Sequence, residues 1–332
     1  MDLSSTYMGL RLRNPIVASA SPLSRTISGI QRLVDAGVGA IVLYSLFEEE
    51  LRHRAAQNAA LTEAGAESFA ESLSYFAALA GEDPGPKRHL ELLERCASFG
   101  VPLIASLNGS TAGGWISYAR DLQSAGAAAI ELNIFYLPGG SGREVEQRHV
   151  DIVESVKSVV SIPVAVKLSP HFSSVMEMAL RLEAAGADGL VLFNRYPYPD
   201  IDLNTLSVVR HVSLSTAADA GLPRLWIALL FGKIRASLAA TTGVETSDDV
   251  VKFILAGADV VMTTSALWRN GPEFATVLID GLAAWLRARQ LSDLEEVRGL
   301  MTAPGNIDRS DHERARYVDT FWAADMNPWV GS

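Results

Sequence analysis

The chain has 332 residues, 48% of them hydrophobic and 20% charged, with a formal net charge of −10. That is material for one large core or two domains, and the acidic balance argues against a broad basic surface for nucleic acid. The single cysteine, Cys96, excludes an internal disulfide, a cysteine-rich zinc site and an iron–sulfur cluster held by this chain alone.

The N-terminus, Met1-Asp2-Leu3-Ser4-Ser5, is neither basic nor followed by an apolar signal core. No apolar run is long enough to span a bilayer, so a cytoplasmic protein without a membrane partner is expected. Gly9–Arg13 alternates as a hairpin strand does, and Asn14-Pro15 turns the chain. Ile16–Ala20 reads as the first barrel-type strand, and it ends in Ser19, Ala20 and Ser21. Small residues there either make a tight turn before Pro22 or let a flat ligand approach the backbone. A helix over Ile27–Ala36 leads to strand two, Ala40–Phe47, with Tyr44 and Ser45 near its end. Glu48–Pro86 is a long, Ala-rich, acidic excursion, read as helical pieces over the mouth of the fold.

A helix over Lys87–Phe99 precedes strand three, Pro102–Leu107, which ends at Asn108-Gly109. A helix over Gly114–Ser124 then enters the stretch Ala125–Pro138. There Gly126 stops the helix, Ile130 and Leu132 suit a buried strand, Asn133 opens a loop, and Pro138 bars continuation. Past the flexible Gly139–Gly142, a helix over Glu144–Val159 leads to strand five, Pro163–Leu168, which Lys167 interrupts. A helix over Ser173–Ala185 leads to strand six, Gly189–Phe193, ending at Asn194-Arg195. Tyr196–Pro223 is expected to be irregular, with Pro197 and Pro199 blocking regular structure. A helix over Leu225–Ile234 precedes strand seven, Ser237–Thr241, which ends at Thr242-Gly243. A helix over Ser247–Ala256 precedes strand eight, Asp259–Thr264, which runs into Ser265. A helix over Pro272–Arg289 follows, and the charged tail Leu291–Ser332 carries Trp322 and Trp329 as candidate anchors.

The unit helix–Gly–strand recurs at Gly37, Gly126, Gly186 and Gly257. Its strands are short and almost continuously apolar, as strands covered on both faces are. Eight strands alternating with helices predict a single (β/α)8 TIM barrel with an N-terminal hairpin and a C-terminal helical tail. The barrel is assigned to residues 1–290 and a helical extension packed on it to 291–332. An open doubly wound sheet is the alternative, but its glycine-rich fingerprint is missing after strand one.

In a barrel, ligands bind where strands end. Those ends read Ser19/Ser21, Tyr44/Ser45, Asn108, Asn133, Lys167, Asn194/Arg195, Thr242/Gly243 and Thr264/Ser265. One asparagine alone reads as a helix cap; three on one rim point to a shared planar polar ligand. Lys167 has three readings: a stem reaching solvent, a cation stabilising negative charge on a cofactor or intermediate, or a Schiff-base amine. Thr242-Gly243 and Thr264-Ser265 form a candidate anion cradle at the corner where barrels hold phosphate. No metal-ligand spacing is present.

Asn14-Pro15, Ala18-Ser19, Glu131-Leu132-Asn133, Val166-Lys167-Leu168-Ser169-Pro170, Asn194, Thr241-Thr242-Gly243-Val244 and Thr264-Ser265-Ala266-Leu267 occur in one order, with Gly271-Pro272 after them. In that order they resemble the dihydroorotate dehydrogenases, the soluble class above all, over roughly Ser4 to Arg289. The resemblance implies an FMN-binding (β/α)8 barrel that oxidises dihydroorotate to orotate in pyrimidine synthesis. It implies that Ser19, Ala20 and Ser21 lie against the flavin and that Asn108 and Asn133 line its polar edge and the substrate. Lys167 is then near the flavin's pyrimidine edge, Asn194 and the adjoining Arg195 hold substrate, and Tyr44 and Ser45 border the cofactor. Thr242-Gly243 and Thr264-Ser265 are the implied phosphate site. A homodimer follows from the same resemblance, with a separate electron-accepting subunit as one possible acceptor.

The chain departs from that pattern at four points, one of them the lack of the family's Gly-Leu-Pro-Asn substrate loop between Ala66 and Ala80. The family's cysteine or serine base is replaced within Ile134-Phe135-Tyr136-Leu137, where Tyr136 aligns best; an untuned phenol titrates near ~10, far above a neutral-pH base. The family's strand-two lysine is Tyr44, and the paired glycine before the phosphate is Thr242. Two other readings therefore stand beside the oxidoreductase: a Lys167 Schiff-base aldolase or lyase, and a non-catalytic flavin-binding partner of another redox enzyme.

Overall fold

The computed structural model describes residues 1–49, 86–109, 115–134, 140–195, 199–209 and 213–302, with 314, 318 and 319 beyond. Ser5–Tyr7 (β1) and Leu10–Leu12 (β2) pair antiparallel. Then come Ile16–Ala18 (β3), Ala40–Val42 (β4) and a two-residue strand, Leu46–Phe47 (β5). Leu103–Gly109 (β6), Ala129–Ile134 (β7), Val164–Leu168 (β8) and Gly189–Leu192 (β9) follow. Asp200–Asp202 (β10) and Ser207–Val209 (β11) make a separate hairpin, and Ser237–Ala240 (β12) and Val260–Thr263 (β13) complete the strands.

Eight of these pair in parallel in the order β4-β3-β13-β12-β9-β8-β7-β6, and β4 also pairs with β6. The circuit is closed, so this is the (β/α)8 barrel expected from the strand count. Helices cover it: Ile27–Asp35 (α1), Pro86–Cys96 (α2), Trp115–Ser124 (α3), Gly142–Lys157 (α4), Val175–Ala184 (α5), Gly221–Leu230 (α6), Ser247–Leu255 (α7), Ser265–Asn270 (α8) and Phe274–Ala288 (α9).

The predicted glycine stops hold positive φ: 91° at Gly37, 96° at Gly126, 97° at Gly186 and 107° at Gly257. The aspartates after two of them do more than turn the chain. Asp188 accepts from the Val164 amide at 2.8 Å and the Lys157 amine at 2.7 Å, and Asp259 accepts from the Leu238 amide at 2.7 Å. Each stitches its own strand to the start of its neighbour.

Two apolar layers result, because successive strand residues face opposite ways. The larger lies between strands and helices. The smaller fills the barrel with Val17, Val42, Ile104, Ala165, Val191 and Met262 among others, and the hairpin's Tyr7, Met8 and Leu12 plug its lower end. Gly189 makes room for that plug: a Cβ there would lie 2.9 Å from Met8 Cγ and 3.3 Å from the Tyr7 ring.

Four expected elements differ. The strand over Ala40–Phe47 is broken at 43–45, and its second part pairs only with β6. The irregular Tyr196–Pro223 contains the β10–β11 hairpin, turned by Asp202, whose carboxylate accepts from the amides of Asn204 and Thr205. The helix expected over Leu225–Ile234 begins at Gly221, since Pro223 falls in the first turn, where no N–H is needed. The helix expected from Pro272 is preceded by α8, and Gly271, at φ 88°, separates it from α9.

Past the barrel, Leu294 and Val297 are buried, and the amides of Gly299 and Met301 donate to the carbonyls of Ile254 and Leu255 on α7. Trp322 and Trp329 lie outside the described residues, as do the excursion over 50–85 and the loop over 135–139 that holds Tyr136. No helix among the described residues is long and apolar enough to cross a membrane.

Candidate active site

Register sets the polar tier of the barrel. Ile104, Ser106 and Asn108 on β6 stand beside Ala129, Glu131 and Asn133 on β7, and Asn133 stands beside Lys167 on β8. Alternation puts all seven side chains on the inward face, from an apolar floor up to a rim of Asn108, Asn133 and Lys167. Asn194, just past β9, donates to Asn133 Oδ1 at 2.7 Å, joining two of the three rim asparagines.

Lys167 projects into a cavity of about 150 Å³ bounded by Ser19, Ala20, Asn194, Arg195, Thr242, Thr264 and Ser265. Eight strand ends were expected to share a ligand, and five of them, after β3, β8, β9, β12 and β13, line this one space. A second cavity of about 180 Å³ shares Phe193, Asn194, Arg195 and Thr242 with it and adds Ser169, His171 and Asp219. Arg195 stands between the two, bonded to the Ser213 carbonyl at 2.6 Å and 3.8 Å from Asp219.

The cradle is built from backbone. Thr242 and Gly243 hold φ of 76° and 79° in succession, turning the chain end of β12 into a concave bend. A Cβ on Gly243 would come within 2.5 Å of the Ala220 amide nitrogen, so only glycine fits. The two threonine hydroxyls are committed elsewhere: Thr242 Oγ1 donates to the Phe193 carbonyl at 3.1 Å and Thr264 Oγ1 to the Ser19 carbonyl at 3.2 Å. Ser265 Oγ accepts from the Ser215 amide at 3.0 Å. Backbone amides and the Ser265 O–H, whose oxygen only accepts from Ser215, are therefore what this corner offers an anion.

The remaining candidates are placed differently. Ser21 caps the short turn at Pro22–Ser24, accepting from the Leu23 amide at 3.3 Å. Ser45 is buried with its hydroxyl 2.8 Å from that of Ser106. Tyr44 turns away from the rim: the Arg25 guanidinium stacks 3.7 Å from its ring centre, and both line a separate cavity of about 390 Å³ with Arg88 and His89. Burial pulls the His89 imidazole down to about 4. Among the described residues no three His, Cys, Asp or Glu side chains gather as a metal ion needs.

The strand tips of the closed barrel thus bring together a lysine, two bonded asparagines and a glycine-built bend. The family model described as dihydroorotate dehydrogenase matches residues 2–286. The chain belongs to the dihydroorotate dehydrogenase family. Members are oxidoreductases acting on a CH–CH bond. The chain is 27% identical to the catalytic subunit of dihydroorotate dehydrogenase B (NAD(+)) of Methanothermobacter thermautotrophicus over 318 residues, 90% of this chain and 98% of that one. It is 29% identical to a putative dihydroorotate dehydrogenase A (fumarate) of Aeropyrum pernix, over 90% of this chain and 97% of that one. The dihydroorotate dehydrogenase B catalytic subunit of Listeria monocytogenes is 32% identical over 60% of this chain and 68% of its own length.

The polar strand ends leave out one buried ionisable group of the barrel. Glu131 is fully buried in the barrel, with Oε1 3.7 Å from Lys167 Nζ. Burial raises its carboxyl above the ordinary range, and the Lys167 ammonium pulls the other way. The signal was present: a carboxylate two residues before Asn133 in an apolar strand shares that asparagine's inward face.

Proposed function

We propose that the protein is an FMN-dependent oxidoreductase that oxidises dihydroorotate or a related small cyclic substrate. The observation that carries the reading is the single cavity in which Lys167, the Ser19-Ala20 edge and the Thr242-Gly243 bend meet. The residues fit FMN in kind: small side chains beside a flat ring, one cation, and backbone amides for a phosphate. When bound, the flavin supplies a hydride acceptor. Thr242-Gly243 and the first turn at Thr264-Ser265 hold the phosphate; Ser19, Ala20 and Ser21, with Ser45 behind them, border the ring, while Tyr44 faces the separate Arg25 cavity and takes no part.

Lys167 offsets negative charge that develops at the cofactor, in a water-poor tier where one charge counts for more than it does in bulk water. Asn108, Asn133, Asn194 and Arg195 orient the substrate. Tyr136 takes the substrate proton, which requires its phenol to be tuned below the ordinary value. The Schiff-base reading of Lys167 is less favoured, because its Nζ already faces the buried Glu131 carboxyl at 3.7 Å.

The same reading includes a barrel over 1–290 with a C-terminal extension over 291–332, supported by the burial of Leu294 and Val297. It includes a cytoplasmic homodimer, for which the exposed apolar β10–β11 hairpin is the candidate contact. A separate electron-accepting subunit is proposed by analogy with the relatives named as catalytic subunits. The test is anaerobic titration of the FMN-loaded protein with dihydroorotate and a panel of related dihydropyrimidines. Bleaching of the flavin absorbance by a member of the panel is expected. Protein that takes up no FMN rules the proposal out, and bound FMN that no compound bleaches favours the non-catalytic flavin partner.

A further inference from the structure

We propose that Glu131 is the buried counter-charge of Lys167, a positioning residue that sets how much positive charge the cofactor cavity feels. The inference rests on the FMN reading above and extends it to a residue outside the cavity lining. Lys167 is held between two environments. Its amine lines the cavity with Ser19, Ala20 and Thr264, and beneath it, 3.7 Å from Nζ, lies Glu131 Oε1. Glu131 is wholly enclosed by the barrel, and among the described residues neither of its oxygens accepts a hydrogen bond.

An ionised carboxylate in such a place is costly unless a cation offsets it. The described groups that face it are few. β6 offers the neutral Ser106, β8 offers Ala165 and Lys167, and the plug below offers the Tyr7 phenol. Tyr7 is also fully buried, and burial holds its hydroxyl well above the usual phenol value, so it stays neutral. Among the described residues Lys167 is thus the one cation that compensates Glu131, and the coupling works both ways. With Glu131 ionised, the pair presents little net charge to the cavity. With Glu131 protonated, the full ammonium charge faces upward. The protonation state of a residue that touches no ligand then tunes how readily a bound flavin accepts negative charge.

The test is the midpoint potential of FMN bound to wild type, Glu131→Gln, Lys167→Met and the double variant, read spectrophotometrically from about pH 5 to about pH 9, a range spanning a raised carboxyl titration. Wild type and Glu131→Gln are expected to coincide at the acid end and to diverge as pH rises, with Glu131→Gln the more easily reduced. Lys167→Met is expected to lower the potential, and adding Glu131→Gln to it to change nothing further, because an uncompensated buried carboxyl keeps its proton. Glu131→Met, which preserves side-chain length without a polar end, is expected to follow Glu131→Gln and serves if the glutamine variant does not fold. Parallel wild-type and Glu131→Gln potentials across the whole range, with FMN bound, overturn this inference alone. Wild-type protein that binds no FMN overturns the cofactor reading and this inference with it.

Discussion

Thr242 sits at φ 76°, where a β-branched residue is strained, and its hydroxyl bonds the Phe193 carbonyl at 3.1 Å. Strain of this kind costs about 1–3 kcal/mol, while a net hydrogen bond returns about 0.5–1.5 kcal/mol. Thr242→Gly is therefore expected to match or exceed wild type in stability, and Thr242→Val, which keeps the strain and loses the bond, to fall about 1 kcal/mol below it. Urea titrations of the three proteins check the order. Glu131 makes a prediction of opposite sign to that of acids whose ion pairs depress the carboxyl value. Its folded-state carboxyl is raised, so the folded protein holds the proton more tightly than the unfolded chain. The stability this brings is present below the unfolded carboxyl value and is lost as pH rises through the folded one. The difference in unfolding free energy, wild type minus Glu131→Gln, should accordingly shrink between mildly acidic and mildly alkaline buffer. A difference that grows with pH would show the carboxylate to be net stabilised in the barrel.

The N-terminal hairpin acts as an element through what it fills. Tyr7 and Met8 enter the barrel's lower end against Gly189, where a Cβ already meets Met8 at 2.9 Å. Gly189→Val is expected to cost about 1–3 kcal/mol by overpacking, measured as a lowered denaturant midpoint with an unchanged slope. Flavin content at saturating FMN should change little, because the plug and the ligand cavity lie at opposite ends of the strands. Three helix starts needed no tertiary help: Thr246 and Asp249 form a reciprocal cap at the start of α7, and Ser174 and Thr26 cap α5 and α1.

At the scale of the whole molecule, the β10–β11 hairpin is the least buried regular element among the described residues. Ile201, Leu203, Leu206 and Val208 are 64%, 80%, 83% and 65% exposed, an unusual cluster for a surface that faces only water. If the homodimer forms there, Leu203→Glu with Leu206→Glu should shift the protein from dimer to monomer in sedimentation while leaving its far-UV circular dichroism unchanged. A wild-type protein that sediments as a monomer would show that this surface serves another partner.

Local chemistry alone was enough for the repeat. Gly37, Gly126, Gly186 and Gly257, the apolar strands behind them and the polar strand ends could be read in order, since a left-handed stop and a two-faced buried strand each leave a mark in a few consecutive residues. Tertiary structure decided what depends on distant neighbours. Tyr44 faces Arg25 rather than the rim because the chain breaks between β4 and β5, and the Ser265 hydroxyl oxygen accepts from Ser215, fifty residues away. Glu131 became a partner of Lys167 only when β7 was set beside β8 in one register. Strand pairing brings side chains from separate segments within reach of each other, and no window along the chain contains that information.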